Sequence, residues 1–124
     1  ELESSKPLNK FNVVESGLPA GNTVTRQVSR WHARDLPEGF ELNDHRYARG
    51  EDDRIYEHLV YGDGLAAVSV YIESGKGEAV PGVSSMGTTH AFIRRDKQVM
   101  ITVIGDVPAA TVLKIGRGVR PATQ

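Results

Sequence analysis

Four histidines, at positions 32, 45, 58 and 90, are the side chains best suited to acid–base or ligand chemistry near neutral pH. With Asp44 or Asp63 they would form a nitrogen and oxygen ligand set for a metal ion. Their spacing argues against it, because no pair stands in an H-E-x-x-H arrangement that aims two imidazoles and a carboxylate at one ion. The chain has no cysteine, which excludes thiolate ligation, disulfides and a cysteine nucleophile. No Gly-x-Ser-x-Gly elbow is present, and no serine stands beside a plausible base. Gly75-Lys76-Gly77 lacks the rest of a phosphate-binding loop and reads as a flexible turn. A small metal-assisted hydrolase built on the histidines is therefore the weakest reading, and neither an enzyme nor a cofactor is expected.

Recognition chemistry is better represented. Trp31, the single tryptophan, is either a partner anchor or a packing residue, and packing is favoured. Arg94, Arg95 and Lys97 cluster where a hairpin tip is expected, as a solvated turn or as a patch that steers an acidic partner. A net charge of −1 speaks against nucleic acid as a partner, since nonspecific phosphate binding needs a basic excess on one face. No run approaches the roughly 18 apolar residues of a membrane-spanning helix. The chain starts at Glu1 without an initiator methionine, as a processed protein or a cut-out fragment would.

These side chains must be positioned by strands. Asp63-Gly64, between runs rich in Val, Ile and Tyr, predicts a β-hairpin over residues 59–73 closed by a two-residue type I′ turn. Counting outward sets Tyr61 opposite Ala66, Leu59 opposite Val68, Glu57 opposite Val70 and Ile55 opposite Ile72, an apolar face interrupted only by Glu57. A second hairpin, with a three-residue loop at Arg95, Asp96 and Lys97, pairs Ile93 with Val99, Ala91 with Ile101 and Thr89 with Val103 on the core side. Together the two registers place Tyr56, His58, Tyr71, His90, Phe92 and Met100 on the opposite face. Met and aromatic residues gathered there make either an interface or a face covered by loops, by residues 1–28 or by a further domain. With Arg94 and Arg95, these six are the candidate partner-binding residues.

Upstream, residues 28–34 alternate, Leu36-Pro37-Glu38-Gly39-Phe40 makes a turn, a strand follows over about 40–47, and residues 49–53 form a polar turn. Residues 74–85, rich in Gly and Ser, read as a mobile surface loop. Residues 1–28 have no clear period and read as a linker or the tail of a preceding domain, holding at most one edge strand, which leaves 29–124 as the folded domain. At the other end Asp106 precedes Val107-Pro108, a helix start, and Val112, Ile115 and Val119 recur at helical spacing to pack on the sheet. Gly116 and Gly118 weaken its last turn, and Pro121 ends it. The fold class is α+β: an antiparallel β-sheet of about five to six strands with a C-terminal helix packed on one face.

Several stretches in order then resemble one family. Trp31 with Leu36-Pro37-Glu38-Gly39-Phe40, Glu57-His58-Leu59-Val60-Tyr61 leading into Asp63-Gly64-Leu65-Ala66-Ala67-Val68-Ser69-Val70, Met86-Gly87, and Val103-Ile104-Gly105-Asp106-Val107-Pro108-Ala109-Ala110-Thr111-Val112 resemble the C-terminal domain of the MucB/RseB regulators of the envelope-stress sigma factor sigma-E. Gly62 stands where the family often has Ser, and Gly116 where it has a better helix former. The resemblance implies a periplasmic negative regulator that binds the periplasmic part of the anti-sigma factor RseA/MucA and shields it from regulated proteolysis. It also implies an N-terminal lipoprotein-carrier-like domain outside this sequence as a second partner. Lipid or lipopolysaccharide binding, docking of that domain, and self-association into a homo-oligomer are the alternative uses of the same semi-apolar face.

Overall fold

The computed structural model describes residues 30–49, 54–75 and 80–122. Eight strands and one helix occupy them: β1 (Trp31–Ala33), β2 (Glu41–Arg49), β3 (Ile55–Gly62), β4 (Ala67–Ser74), β5 (Gly82–Met86), β6 (Thr89–Asp96), β7 (Val99–Gly105), α1 (Ala109–Arg117) and β8 (Val119–Pro121). Six strands form an antiparallel sheet in the order β2-β3-β4-β7-β6-β5. It consists of two meanders, β2-β3-β4 and β5-β6-β7, joined by pairing of β4 with β7. These two central strands carry the densest apolar runs of the chain, as strands walled in by neighbours must. The expected antiparallel sheet with a C-terminal helix is what the chain adopts.

One face of the sheet holds the core. Leu59, Tyr61, Val68, Val70, Ile72, Ile101 and Val103 meet Val107, Val112, Ile115 and Val119 there, with Trp31, Leu36, Phe40 and Phe92 packed around them. The helix presents Val112 and Ile115 to the sheet, as its three-residue spacing requires. Val119, expected on the helix, joins the same core from outside it, because α1 ends at Arg117 with Gly118 as its cap and does not run on to Pro121. The chain leaves α1 after Arg117, and β8 pairs with β1, Trp31 opposite Pro121 and Ala33 opposite Val119. This two-stranded ribbon is tied to the sheet where Ala33 N–H donates to the Tyr61 hydroxyl at 2.9 Å.

Three further expectations are corrected. Tyr61 faces Val68, not Ala66, so the first hairpin slips by two residues. A type I′ turn needs positive φ at Asp63, yet among described non-glycine residues only Lys97 has one. Asp63 instead accepts the N–H groups of Leu65 and Ala66 on its Oδ1, both at 2.9 Å, and its own N–H donates to the Ala66 carbonyl, which widens the loop. A slip of two keeps every side chain on its face, so the core is unchanged.

The second hairpin slips by three. Val99 faces Asp96, Ile101 faces Arg94 and Val103 faces Phe92 around a two-residue turn at Lys97-Gln98 in which Lys97 has φ 60°. An odd slip turns β6 over: His90, Phe92 and Arg94 lie on the helix side, while Ala91, Ile93 and Arg95 share the second face. The third correction concerns residues 82–85, expected within the loop over 74–85, which with Met86 form the edge strand β5, joined to β6 by a tight turn at Gly87-Thr88 with Gly87 at φ 62°. The linker and edge strand expected in residues 1–28, and most of the turn expected at 49–53, lie outside the described residues.

Candidate binding faces

The overturned β6 strand gives three of the candidate residues structural work beneath the helix. Phe92 packs against the core under Gly116, where any added side chain would collide with its ring. Arg94 lies below the end of α1, where carbonyls lack partners within the helix. Its Nε donates to the Gly116 carbonyl at 2.8 Å, its Nη2 donates to the Val119 carbonyl at 2.5 Å, and Asp96 stands 3.9 Å from Nη1. Burial, and after it the charge of Arg120, pulls the Arg94 guanidinium below its ordinary pKa, with Asp96 opposing. His90 Nδ1 lies 2.8 Å from the Val107 carbonyl, at the entrance to the helix. Phe92 and Arg94 thus hold the C-terminal end of α1, and His90 holds the segment that enters it.

The second face keeps the other five. Tyr56, His58, Tyr71, Met100 and Arg95 lie on it through the pairs Tyr56–Glu73, His58–Tyr71 and Arg95–Met100. His58 stacks on Tyr71 with ring centroids 4.3 Å apart and planes inclined by 11°. Tyr71 and Met100 are buried, at 8% and 5% exposure, so contact surface there comes from half-buried Tyr56 and His58 and from exposed Arg95. Arg95 Nη1 also donates to the Gly75 carbonyl at 3.2 Å.

The histidines do not converge. His32 is exposed on β1, His58 and His90 lie on opposite faces, and His45 Nε2 sits 2.8 Å from Glu57 Oε2. No group of three His, Cys, Asp or Glu able to hold a metal occurs among the described residues. The His45–Glu57 pair explains the one polar interruption of the core face: Glu57, 3% exposed, also accepts the Arg30 N–H at 3.1 Å, while the Arg30 guanidinium lies over the Tyr47 ring at 4.8 Å. Glu57 thereby ties the start of β1 to the sheet. Sequence alone marked Glu57 as an anomaly; His45, twelve positions away, carries no signal linking the two. A concavity of about 710 Å³ that sequence reading did not anticipate opens between the β6–β7 turn and the β1–β8 ribbon, with Trp31 in its wall.

The family description "MucB/RseB C-terminal domain" matches residues 25–120, most of the chain. This chain belongs to the MucB/RseB family. A curated relative, the sigma factor AlgU regulatory protein MucB of Pseudomonas aeruginosa, is 36% identical over 98 residues, covering 73% of this chain and 31% of the relative. Among solved structures, MucB in complex with MucA(peri) superposes with a TM-score of 0.65 at 31% identity, covering 79% of this chain and 39% of that one. The Pseudomonas aeruginosa MucA/MucB complex gives a TM-score of 0.63 at 29% identity, covering 81% and 38%. The chain thus spans about a third of the curated relative it matches. The family is one of regulatory proteins. No helix among the described residues is long and apolar enough to cross a membrane.

Proposed function

We propose that this domain is a binding module of a periplasmic sigma-E regulator, which holds the periplasmic segment of the RseA/MucA anti-sigma factor and shields it from regulated proteolysis. The observation that carries the reading is the shared fold and family with MucB, a protein solved in complex with MucA(peri). Residues 29–124 form the recognition unit, and it acts by binding without catalysis. Contact is made through the second sheet face, by Tyr56, His58 and Arg95 backed by Tyr71 and Met100. Phe92, His90 and Arg94 serve the same surface from beneath, by fixing the strand that presents Arg95.

Calorimetric titration of the chain with the periplasmic segment of its cognate anti-sigma factor tests this. Saturable binding is expected, weakened by Arg95→Glu and by Tyr56→Ala with the fold intact. Phe92→Ala and Arg94→Glu would instead lower thermal stability, because both remove support from α1. Binding that is indifferent to Arg95→Glu and Tyr56→Ala would remove the second face from the interface. A second reading, that this face docks a further domain, draws on the chain covering only about a third of its relatives; no binding by the chain alone would favour it.

A further inference from the structure

The concavity beside Trp31 has the make-up of a recognition site on the helix side of the sheet, away from the second face. Its apolar wall comes from Trp31, Val99 and Pro121, with Trp31 and Pro121 directly paired across the ribbon. Its polar wall carries three cations, Arg94, Lys97 and Arg120, against the single anion Asp96. Arg94 and Arg120 share one acceptor, since Arg94 Nη2 and Arg120 Nη1 both donate to the Val119 carbonyl, at 2.5 and 3.0 Å. Two guanidinium groups converging on one carbonyl repel each other, and the Asp96 carboxylate, 3.9 Å from Arg94, offsets only part of that charge. A carboxylate entering beside them would relieve the repulsion, and the planar fork of arginine suits it.

We infer that this concavity is a docking site for an acidic, extended peptide segment of a protein partner, which sets a carboxylate against Arg120 and Lys97 and an apolar side chain against Trp31 and Pro121. The juxtaposition of one indole with a cationic rim, over an open trough of about 710 Å³, carries the inference. An anionic membrane surface fits less well: Arg94 is recessed, its side chain 21% exposed and anchored on two backbone carbonyls, where a flat layer of headgroups cannot follow it. The turn beside the trough has Lys97 in a left-handed backbone conformation, which roots the exposed lysine at the rim. The inference rests on the reading above that the domain binds a protein segment, and it adds a second contact region to that reading.

Trp31 is the only tryptophan of the chain, so its fluorescence reports on the trough directly. The 124-residue chain is titrated with the periplasmic segment of the cognate anti-sigma factor, following Trp31 emission and heat in parallel. The expected result is a saturable change in emission whose midpoint matches the calorimetric one, with affinity that falls as salt is raised. Lys97→Glu with Arg120→Glu should weaken binding about tenfold or more, Arg120→Gln less, and the segment with its Asp and Glu replaced by Asn and Gln should bind correspondingly weakly. Melting curves of the variants confirm that the fold is kept, and Arg120→Gln serves as readout if the double reversal unfolds.

Heat of binding with unchanged Trp31 emission and unchanged affinity in these variants would overturn the inference while leaving the binding function in place. No heat and no change in emission would remove both. A change in Trp31 emission that depends on Arg120 with phosphatidylglycerol vesicles, but not with the peptide, would overturn it in favour of a lipid headgroup site.

Discussion

Replacing Gly116 by alanine sets two effects of known size against each other. Gly116 lies in the last turn of α1, where alanine would gain about 1 kcal/mol of helix propensity. A Cβ built there, however, falls on Phe92 Cδ2, 2.8 Å from Phe92 Cε2 and 3.2 Å from Val103 Cγ2. The ring is held between helix and sheet, and Val103 is fully buried, so relief requires the helix end to lift or the ring to leave its rotamer. Overpacking of this kind costs about 1–3 kcal/mol, and it also strains the Arg94 hydrogen bond to the Gly116 carbonyl. The net expectation is a loss of up to about 2 kcal/mol, read in urea unfolding as a lower midpoint at unchanged slope. Adding Phe92→Leu to the alanine variant should recover part of the loss, a coupling that only residues in contact show. Should Gly116→Ala leave stability equal or higher, propensity has won, the ring is not beneath the helix, and the register of β6 derived above is wrong.

Glu57→Leu should cost about 2–3 kcal/mol in the same assay although it makes the core face wholly apolar, because it leaves the Arg30 N–H and His45 without their buried acceptor. Asp63 has its carboxyl held below the usual value, first by the Ala66 N–H and then by that of Leu65. A depressed folded-state pKa contributes stability that is present above the unfolded value, near 4, and lost as pH falls through the folded one. Melting temperature measured from pH 2 to 5 should therefore fall less steeply on the acid side in Asp63→Asn than in the parent. Burial raises the Tyr61 pKa above 10.0, against the lowering effect of the Ala33 N–H, so its stabilising share is full below about pH 10 and declines above it. Tyr61→Phe should flatten that alkaline decline and cost about 1 kcal/mol at neutral pH through the lost Ala33 bond. Lys97→Gly should stabilise by about 0.5–1 kcal/mol, the relief of a left-handed side-chain residue less the entropy of glycine, and a destabilised variant would refute the turn.

The two hairpins show why part of the fold was legible and part was not. In β3 and β4 the large aliphatic side chains Leu59, Val68, Val70 and Ile72 fall on one face and the mixed set Tyr56, His58, Ser69 and Tyr71 on the other, so the faces survive an error of two residues in the turn. In β6 the alternation is indifferent: His90, Phe92 and Arg94 on one side and Ala91, Ile93 and Arg95 on the other offer similar apolar content. No local pattern chooses between them, and the deciding turn places a positive φ on a lysine, which no composition rule marks. The candidate site inherited this ambiguity, which is why five of its eight residues share the second face and three do not.

The sequence by itself determined what local chemistry can specify: an antiparallel α+β domain, the apolar face of β3, β4 and β7, a helix after Pro108, and membership of a family through ordered short motifs. Tertiary structure alone decided which way β6 faces, that Val119 belongs to a ribbon with Trp31, and that Glu57, His45 and Arg30 form one buried cluster. The reason is range. Side-chain periodicity and turn chemistry act between neighbours in the chain, whereas the orientation of β6 is fixed by the carbonyls that α1 and β8 leave unpaired and by the space beneath Gly116, which exist only once distant segments have met.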